Sequence, residues 1–244
     1  MKTRLSGKIA IVTGASRGVG KAISIALAGE GATIVLAARD KQKLKETAES
    51  VRNAGGKTEI IVTELTKEDS IKNLISRVGK KFCRLDILVN CAGVTHSASL
   101  ERTQTADWQR CMAVNATAPF ILCREAMPLL RKAEQGVIVN ICSVVGVKGY
   151  PLQSAYTASK HALRGMTMSL AEELKGSNIR VHLLCPGGID TEMVSRVRPD
   201  IKKDDLIKAD EIAELVLYLV THKGNAVIDE LFIRRANASP WFIS

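Results

Sequence analysis

Two side chains that could together carry acid–base chemistry lie four residues apart in the second half of the chain. Tyr156 and Lys160 occupy a segment with helical character, so this spacing places both side chains on one face of a helix. A phenol with its ordinary pKa of about 10 is a poor proton donor or acceptor at neutral pH, but a neighbouring ammonium group favours the phenolate. We therefore expect Tyr156 to donate a proton to a carbonyl oxygen, or to accept one from an alcohol, with Lys160 tuning it.

A hydroxyl group suited to assist this reaction belongs to Ser143, which follows an apolar run typical of a strand. It could hydrogen-bond the substrate oxygen as negative charge develops there. The sequence offers no cluster of histidine, cysteine and aspartate residues, and its six cysteines form no C-x-x-C pair. We therefore predict no metal site and no disulfide framework, with the cysteines reduced and mostly buried.

A glycine-rich segment at residues 14–20 separates an apolar run from a segment with helical character. Its three glycines, spaced G-x-x-x-G-x-G, would let the backbone approach a phosphate group closely. The start of the following helix would offer free N–H groups and a positive potential to the same phosphate. A segment of this kind can also be only a tight turn, but its place after the first strand of an α/β chain favours a phosphate site.

The elements that must position these residues are short β-branched apolar runs that alternate with helix-length segments. Strands are predicted at residues 9–12, 33–37, 59–62, 85–89, 137–141, 179–184 and 226–233. Helices are predicted at residues 19–30, 41–53, 67–80, 105–131, 155–175 and 209–220. This alternation predicts a doubly wound α/β fold with a parallel sheet, whose ligands bind at the carboxyl ends of the strands.

We expect one domain over residues 1–244, because no linker rich in proline, glycine or serine interrupts the pattern. Residues 188–208 are long and polar, and we interpret them as a mobile substrate loop. Residues 234–244 form a C-terminal tail.

The composition is that of an ordinary globular protein. The 244 residues are 46% hydrophobic and 25% charged, and their formal net charge is +10. Lysine and arginine are spread along the whole chain, which argues against a nucleic-acid partner. The apolar runs are too short to span a bilayer, and the N-terminus leads into a strand without a signal-peptide core. We therefore predict a cytoplasmic protein that binds neither nucleic acid nor membrane.

Six motifs, in order along the chain, resemble those of the short-chain dehydrogenase/reductase family. They are Thr13-Gly14-x-x-x-Gly18-x-Gly20, Asn90-Cys91-Ala92-Gly93, Asn115, Ser143, Tyr156-x-x-x-Lys160 and Pro186-Gly187-x-x-x-Thr191. The resemblance covers the chain to about residue 233. It implies an NAD(P)-dependent oxidoreductase with a Rossmann fold of seven parallel strands, dimeric or tetrameric.

The resemblance also implies roles for individual residues. The catalytic set would be Asn115, Ser143, Tyr156 and Lys160, where Asn115 anchors a water in a proton relay and Lys160 also holds the nicotinamide ribose. The cofactor would be bound by Gly14, Ser16, Arg17, Gly18, Val19, Gly20, Arg39, Glu64, Leu65, Asn90, Ala92, Gly93, Tyr156, Lys160, Pro186, Gly187, Ile189 and Thr191. Glu64 stands where the family usually has aspartate near the adenine.

The end of the second strand indicates which cofactor is preferred. An acidic residue there would select NAD(H), whereas arginine accommodates the 2′-phosphate of NADP(H). This chain has the neutral Ala38 followed by Arg39, and Arg17 supplies a second guanidinium. We therefore predict NADP(H) over NAD(H), and we interpret Asp40 as the N-cap of the next helix.

The expected activity is the interconversion of a carbonyl and a secondary alcohol on a small or medium substrate. One alternative is a 3-oxoacyl-acyl-carrier-protein reductase, although Glu134 and Glu172 stand where such enzymes carry docking arginines. A second is a Rossmann module that senses the cofactor without catalysis, against which the intact Ser143, Tyr156 and Lys160 argue.

We also expect a homodimer or homotetramer. Small and apolar residues of the 155–175 helix would remain exposed in a monomer, and in the family this helix pairs with its symmetry mate together with the 105–131 helix. The tail through Pro240-Trp241-Phe242 is expected to dock on a neighbouring subunit.

Overall fold

Seven strands, all parallel, form one sheet in the order β3-β2-β1-β4-β5-β6-β7. The structure is a computed structural model, which describes residues 3–197 and 200–240. The strands are β1 (Ile9–Thr13), β2 (Thr33–Ala38), β3 (Lys57–Val62), β4 (Ile87–Asn90), β5 (Gly136–Ile141), β6 (Ile179–Pro186) and β7 (Glu230–Ile233). The predicted doubly wound parallel sheet is confirmed. Its central strands are buried on both faces, which explains their continuous apolar runs.

Helices cover both faces of the sheet. They are α1 (Gly18–Gly29), α2 (Lys41–Asn53), α3 (Glu68–Phe82), α4 (Thr105–Met112), α5 (Ala118–Leu130), α6 (Ser154–Glu173), α7 (Glu192–Val197) and α8 (Ala209–Thr221). Buried residues of α1, α2 and α8 form one core layer, and those of α3 and α5 form the layer on the opposite face. The sheet between the two layers fixes where each strand ends, and so where its last side chains lie.

The long helix predicted over residues 105–131 is not regular. A π-helical turn over Ala113–Thr117 separates α4 from α5. Turns of this kind widen a helix locally and occur frequently at functional sites. Asn115, one of the predicted catalytic residues, lies in the middle of this turn.

Two strands begin later in the structure than predicted. β7 begins at Glu230 rather than at residue 226, because it pairs with β6 only from Leu183 onward. β4 begins at Ile87 rather than at residue 85, because the amide of Leu85 donates to Leu129 O at 3.2 Å instead of joining the sheet. Both strands still end at the carboxyl edge predicted for the site.

The substrate loop predicted at residues 188–208 is closed at its base. Ile189 and Ile207 form an isolated parallel bridge, and the amide of Asp190 donates to Ile207 O at 2.8 Å. Helix α7 lies within the loop. In the part of the chain that the structure describes, no helix is long and apolar enough to cross a membrane.

Candidate active site

A cleft of about 2200 Å³ opens at the carboxyl edge of the sheet. It lies where the strand order reverses between β1 and β4, the position at which doubly wound folds bind their ligands. The predicted residues that line it are Gly14, Ser16, Arg17, Gly18, Val19, Gly20, Arg39, Glu64, Leu65, Ala92, Gly93, Ser143, Tyr156, Lys160, Pro186, Gly187, Ile189 and Thr191. Asn90 and Asn115 were also predicted as site residues, but they do not line the cleft.

The turn after β1 can be built only with glycine at several positions. Gly14 and Gly18 have φ angles of +67° and +52°. A Cβ atom on Gly14 would lie 2.8 Å from the Cα of Ala92, and one on Gly20 would lie 2.4 Å from the carbonyl oxygen of Gly14. Cβ atoms are not found at such short distances from other atoms, so these two positions must be glycine.

The hydroxyl of Thr13 ties the turn to the loop after β4. Its Oγ1 accepts from the amides of Cys91 and Ala92 at 3.1 and 3.2 Å, and it donates to Val89 O at 3.3 Å. Two neighbouring loops are thereby held together at the switch point of the sheet.

The start of α1 presents an uncompensated positive potential to the cleft. The first turn holds no acidic residue, and no side chain among the described residues caps it. The first N–H groups of a helix lack intrahelical partners and attract anions. Bare backbone and free amides together make a cradle that fits a phosphate group.

Tyr156 and Lys160 lie one turn apart on α6, as predicted. Lys160 is 4% exposed, and its Nζ donates to Ile141 O at 2.9 Å, at the end of β5. The same Nζ lies 5.9 Å from the centre of the Tyr156 ring. No carboxylate of the described residues pairs with Lys160, so its charge remains available to stabilise a phenolate.

Ser143 lies two residues beyond the end of β5 and opens on the same cleft as Tyr156. Its Oγ accepts a long bond of 3.4 Å from the amide of Val145. This weak contact leaves the O–H free to donate to a ligand.

Asn115 is fully buried in the π-helical turn. Its Oδ1 accepts from Val94 N at 2.9 Å, while its Nδ2 donates to Val94 O at 2.8 Å and to Ser159 Oγ at 2.9 Å. Ser159 Oγ in turn donates to the carbonyl oxygen of Tyr156 at 2.7 Å. Asn115 thus connects the loop after β4 to the helix that carries Tyr156.

Gly93 separates Asn115 from Lys160. A Cβ atom on Gly93 would lie 3.5 Å from Asn115 Oδ1 and 3.8 Å from Lys160 Nζ. The two side chains therefore face one small space, although Asn115 does not line the cleft itself.

Asn90 belongs to a buried polar chain that sequence reasoning missed. Its Nδ2 donates to Asn140 Oδ1 at 2.8 Å, and Asn140 Nδ2 donates to Thr167 Oγ1 at 2.8 Å. The chain links β4, β5 and α6 beneath the cleft. A signal was present, since both asparagines interrupt otherwise apolar strands.

The end of β2 pairs a cation with a carboxylate. Arg39 Nη1 lies 3.8 Å from Glu64 Oε2 and is well exposed. Although burial raises the pKa of Glu64, hydrogen bonds from Thr66 and the charge of Arg39 outweigh it, and the pKa is lowered. Asp40 Oδ1 accepts from Lys43 N at 3.0 Å and caps α2, as predicted.

Arg17 forms an ion pair with Glu192 of α7, which joins the glycine turn to the substrate loop. On the same side, a Cβ atom on Gly18 would lie 3.2 Å from Thr191 Cγ2. The loop therefore packs directly against the phosphate cradle.

The C-terminal tail lies against the cleft of its own chain. Arg234 Nη1 donates to the carbonyl oxygens of Ala236 and Ala238 at 2.8 and 3.0 Å, and residues 237–240 line the cleft. The expected docking of the tail on a neighbouring subunit stays a prediction. Trp241 and Phe242 lie outside the described residues.

In the described ranges, no group of three or more His, Cys, Asp or Glu side chains is placed to hold a metal ion. All six cysteines are free, and Cys83 alone is exposed.

The fold and the site together define a class of protein. A parallel sheet of this strand order, with a phosphate-fitting glycine turn at its switch point, is a Rossmann-type fold. The model of the family described as short chain dehydrogenase matches residues 8–202.

Several characterised proteins are similar over most of their length. A 3-oxoacyl-[acyl-carrier-protein] reductase of Thermotoga maritima is 35% identical over 93% of this chain and 96% of its own. A 3beta-hydroxysteroid dehydrogenase of Mediterraneibacter gnavus is 36% identical over 82% of this chain and 72% of its own. A metagenomic short-chain oxidoreductase solved in complex with NADP is 36% identical, with a TM-score of 0.85 over 96% of this chain and 99% of its own.

The chain belongs to the short-chain dehydrogenase/reductase family of oxidoreductases. An alcohol dehydrogenase of Thermococcus sibiricus, solved with 5-hydroxy-NADP, shares 27% identity and a TM-score of 0.88 over 96% of this chain and 99% of its own.

The glycine turn yields a prediction with an internal control in the same helix. Gly20→Ala places a methyl group against Gly14 O, and we expect it to cost about 1–3 kcal/mol of stability and to weaken cofactor binding. Gly29→Ala meets no atom within 4 Å and should stabilise α1 by about 0.5–1 kcal/mol. Thermal unfolding and cofactor titration measure both; equal behaviour of the two variants would contradict this account of the turn.

Proposed function

We propose that this protein is an NADP(H)-dependent oxidoreductase that interconverts a carbonyl and a secondary alcohol. The observation that carries the proposal is that Tyr156 and Lys160 open on the same cleft as the glycine cradle. A proton-transfer group and a phosphate site facing one space suit a reaction between a dinucleotide cofactor and a small substrate.

The residues of the cleft fit such a cofactor. Gly14 and Gly20 let the turn pack closely on itself and on Ala92, and the free amides at the start of α1 suit a pyrophosphate. When bound, a nicotinamide cofactor supplies or accepts a hydride. Lys160, close to the end of β5, would hold the nicotinamide ribose.

The acid–base step belongs to the side chains of this chain. In the reducing direction the Tyr156 hydroxyl gives its proton to the carbonyl oxygen of the substrate. The Lys160 ammonium stabilises the phenolate left behind, and Ser143 donates to the same oxygen as charge develops on it. Asn115 acts through others, because it orients the Tyr156 segment through Ser159.

Turnover of variants tests the acid–base assignment. We expect Tyr156→Phe to fold and bind cofactor normally, while kcat falls by about 10²- to 10⁴-fold, because the ring remains but the proton donor is gone. Tyr150→Phe is the matched control, since Tyr150 lines the same cleft and should lose little activity. Nearly full activity in Tyr156→Phe would refute the assignment.

The preference for NADP(H) rests on Arg39, Arg17 and the neutral Ala38. All three line the cleft, and no acidic side chain occupies position 38 to select NAD(H). The solved relatives that carry NADP or 5-hydroxy-NADP support this choice.

The cofactor preference is measurable as a ratio of kcat/KM values. Charge-assisted contacts to the 2′-phosphate of about 1.5–3 kcal/mol correspond to a preference on the order of 10- to 100-fold for NADPH over NADH. Arg39→Gln should reduce the ratio, whereas Arg52→Gln at the far end of α2 should not. A wild-type enzyme that treats both cofactors equally, or prefers NADH, would contradict the proposal.

The 3-oxoacyl-acyl-carrier-protein reductase activity is the second candidate, favoured by the similar enzyme of Thermotoga maritima. Against it, Glu134 and Glu172 are exposed carboxylates, which would repel an acidic carrier protein. A panel of carbonyl substrates with NADPH separates these candidates, and inactivity on the whole panel would favour a cofactor sensor.

The cytoplasmic location remains a prediction from the sequence, as does a single catalytic domain.

We further propose a homodimer or homotetramer. Trp108, Phe120 and Met168, on α4, α5 and α6, are 42%, 47% and 53% exposed, and such apolar surface favours pairing of these helices with a second copy. Part of the predicted stripe is instead buried within the chain, since Ala155 and Ser159 are covered.

Light scattering at micromolar concentration tests the assembly. We expect a mass of two or four chains, and Phe120→Glu should shift it toward one, whereas Phe82→Glu on α3 should not. A fully active monomer would overturn the proposal.

A further inference from the structure

Two cysteines face each other across neighbouring strands directly beneath the catalytic residues. In the register of β5 and β6, Ile141 lies opposite Leu184, and the amide of Cys142 donates to Leu184 O at 2.7 Å. One residue further on, Cys142 therefore lies opposite Cys185. Neighbouring strands are about 4.8 Å apart, which is within the Cα separation that a disulfide spans.

The two thiols also share one face of the sheet. Cys142 and Cys185 pack in a small buried group with Leu163 and Leu183, covered by α6. The register and the shared face thus both favour a bond between the two sulfur atoms.

Only one of the pair is open to a small reagent from the active site. Cys142 lines the cleft and immediately precedes Ser143, whereas Cys185 is fully buried behind it. The sulfur of Cys142 occupies space that Gly146 leaves open, because a Cβ atom there would lie 2.5 Å from Sγ. Access therefore runs through the cleft to Cys142.

Fixed charges distinguish the two thiols. The hydrogen bond from Cys185 lowers the pKa of Cys142 to about 7 against the effect of burial, and the charge of Lys160 lowers it further. The bond to Cys142, burial and the carboxylate of Glu230 all raise the pKa of Cys185. The proton of the pair therefore resides on Cys185, and a thiolate forms on Cys142.

The carboxylate of Glu230, which adds to the raised pKa of Cys185, is firmly held. Arg164 Nε and Nη2 donate to the two oxygens of Glu230 at 2.7 and 2.8 Å, and Cys185 Sγ donates to Glu230 Oε1 at 3.4 Å. By contrast, burial raises the pKa of Cys91 and of Cys123 to about 12, which leaves those thiols protonated.

We propose that Cys142 is a site of oxidation by peroxides and that Cys185 is its resolving thiol. The Cys142 thiolate attacks one oxygen of the peroxide, the O–O bond breaks, and a sulfenic acid and an alkoxide or hydroxide result. The Cys185 sulfur then attacks the sulfenic sulfur, its proton leaves with the hydroxyl group as water, and a disulfide forms. Two molecules of a small thiol, or one dithiol, then reduce the disulfide to the two cysteine thiols and are themselves oxidised to a disulfide.

Oxidation alters the surroundings of the acid–base residues. Cys142 Sγ donates to Lys160 O at 3.4 Å when its thiol is protonated, and neither the thiolate nor a disulfide can make this bond. Ser143 is the next residue in the chain, so it shifts with Cys142. We expect turnover to fall about ten-fold or more, an expectation that rests on the proposed function.

The decisive measurement is mass spectrometry and does not depend on activity. Trypsin places Cys142 in the peptide 133–148 and Cys185 in the peptide 181–196, each with a single cysteine. After treatment of the folded wild type with hydrogen peroxide and blocking of free thiols, we expect these two peptides to be linked. Dithiothreitol should release them.

Three variants test whether the link requires Cys142 and Cys185 in the roles assigned to them. Cys185→Ser should stop at a sulfenic acid on Cys142 that dimedone traps, and Cys142→Ser should leave Cys185 reduced. Cys83→Ser, which removes the exposed thiol, should form the same link as the wild type. Thermal unfolding verifies that each variant is folded.

The proposal would be overturned if the two peptides did not become linked. It would also be overturned if peroxide oxidised Cys83 or Cys111 while Cys142 stayed reduced. Failure of the proposed oxidoreductase function would be distinguishable, because the disulfide would then form in a protein that turns over no carbonyl substrate.

Discussion

A buried ammonium group is the constraint on which the site depends. Lys160 is almost fully enclosed, and no carboxylate of the described residues neutralises it. An unpaired buried charge is costly, and here only the carbonyl of Ile141 and the polar cleft offset that cost. The end of β5 must therefore lie close to the middle of α6. The chain of hydrogen bonds from Asn90 through Asn140 to Thr167 and the link from Asn115 to Ser159 hold this arrangement.

The same enclosure explains why the chemistry is concentrated on one helix. A buried charge that no carboxylate neutralises interacts more strongly with a nearby phenol than an exposed or paired charge would, and the role proposed for Lys160 rests on this. Arg164, one turn further along α6, is used differently: Glu230 neutralises it and fastens the helix to β7. Under the proposed function, α6 thus carries one cation for chemistry, Lys160, and one for structure, Arg164.

Sequence reasoning predicted those features that depend on neighbours in the chain. The glycine turn, the Tyr156–Lys160 spacing, the Asp40 cap and the alternation of strands and helices all follow from local rules. The π-helical turn around Asn115 was missed, because its side-chain bonds reach Val94 and Ser159, which are distant in sequence. The path of residues 234–240 along the cleft was also missed, since it depends on where β7 ends.

The two arginines expected at the 2′-phosphate already have carboxylate partners, Glu64 and Glu192. These pairs do not weaken the case for a phosphate, because exposed ion pairs contribute only about 0–1 kcal/mol, less than the roughly 1.5–3 kcal/mol of a charge-assisted hydrogen bond. A phosphate group can therefore replace the carboxylate partner of either arginine at a small cost in free energy. The pair between Arg17 and Glu192 adds a consequence, since it joins the cofactor side of the cleft to α7 in the substrate loop. The guanidinium of Arg17 thus stands between the phosphate cradle and the substrate loop, and it has N–H groups besides Nη1 with which to meet an anion.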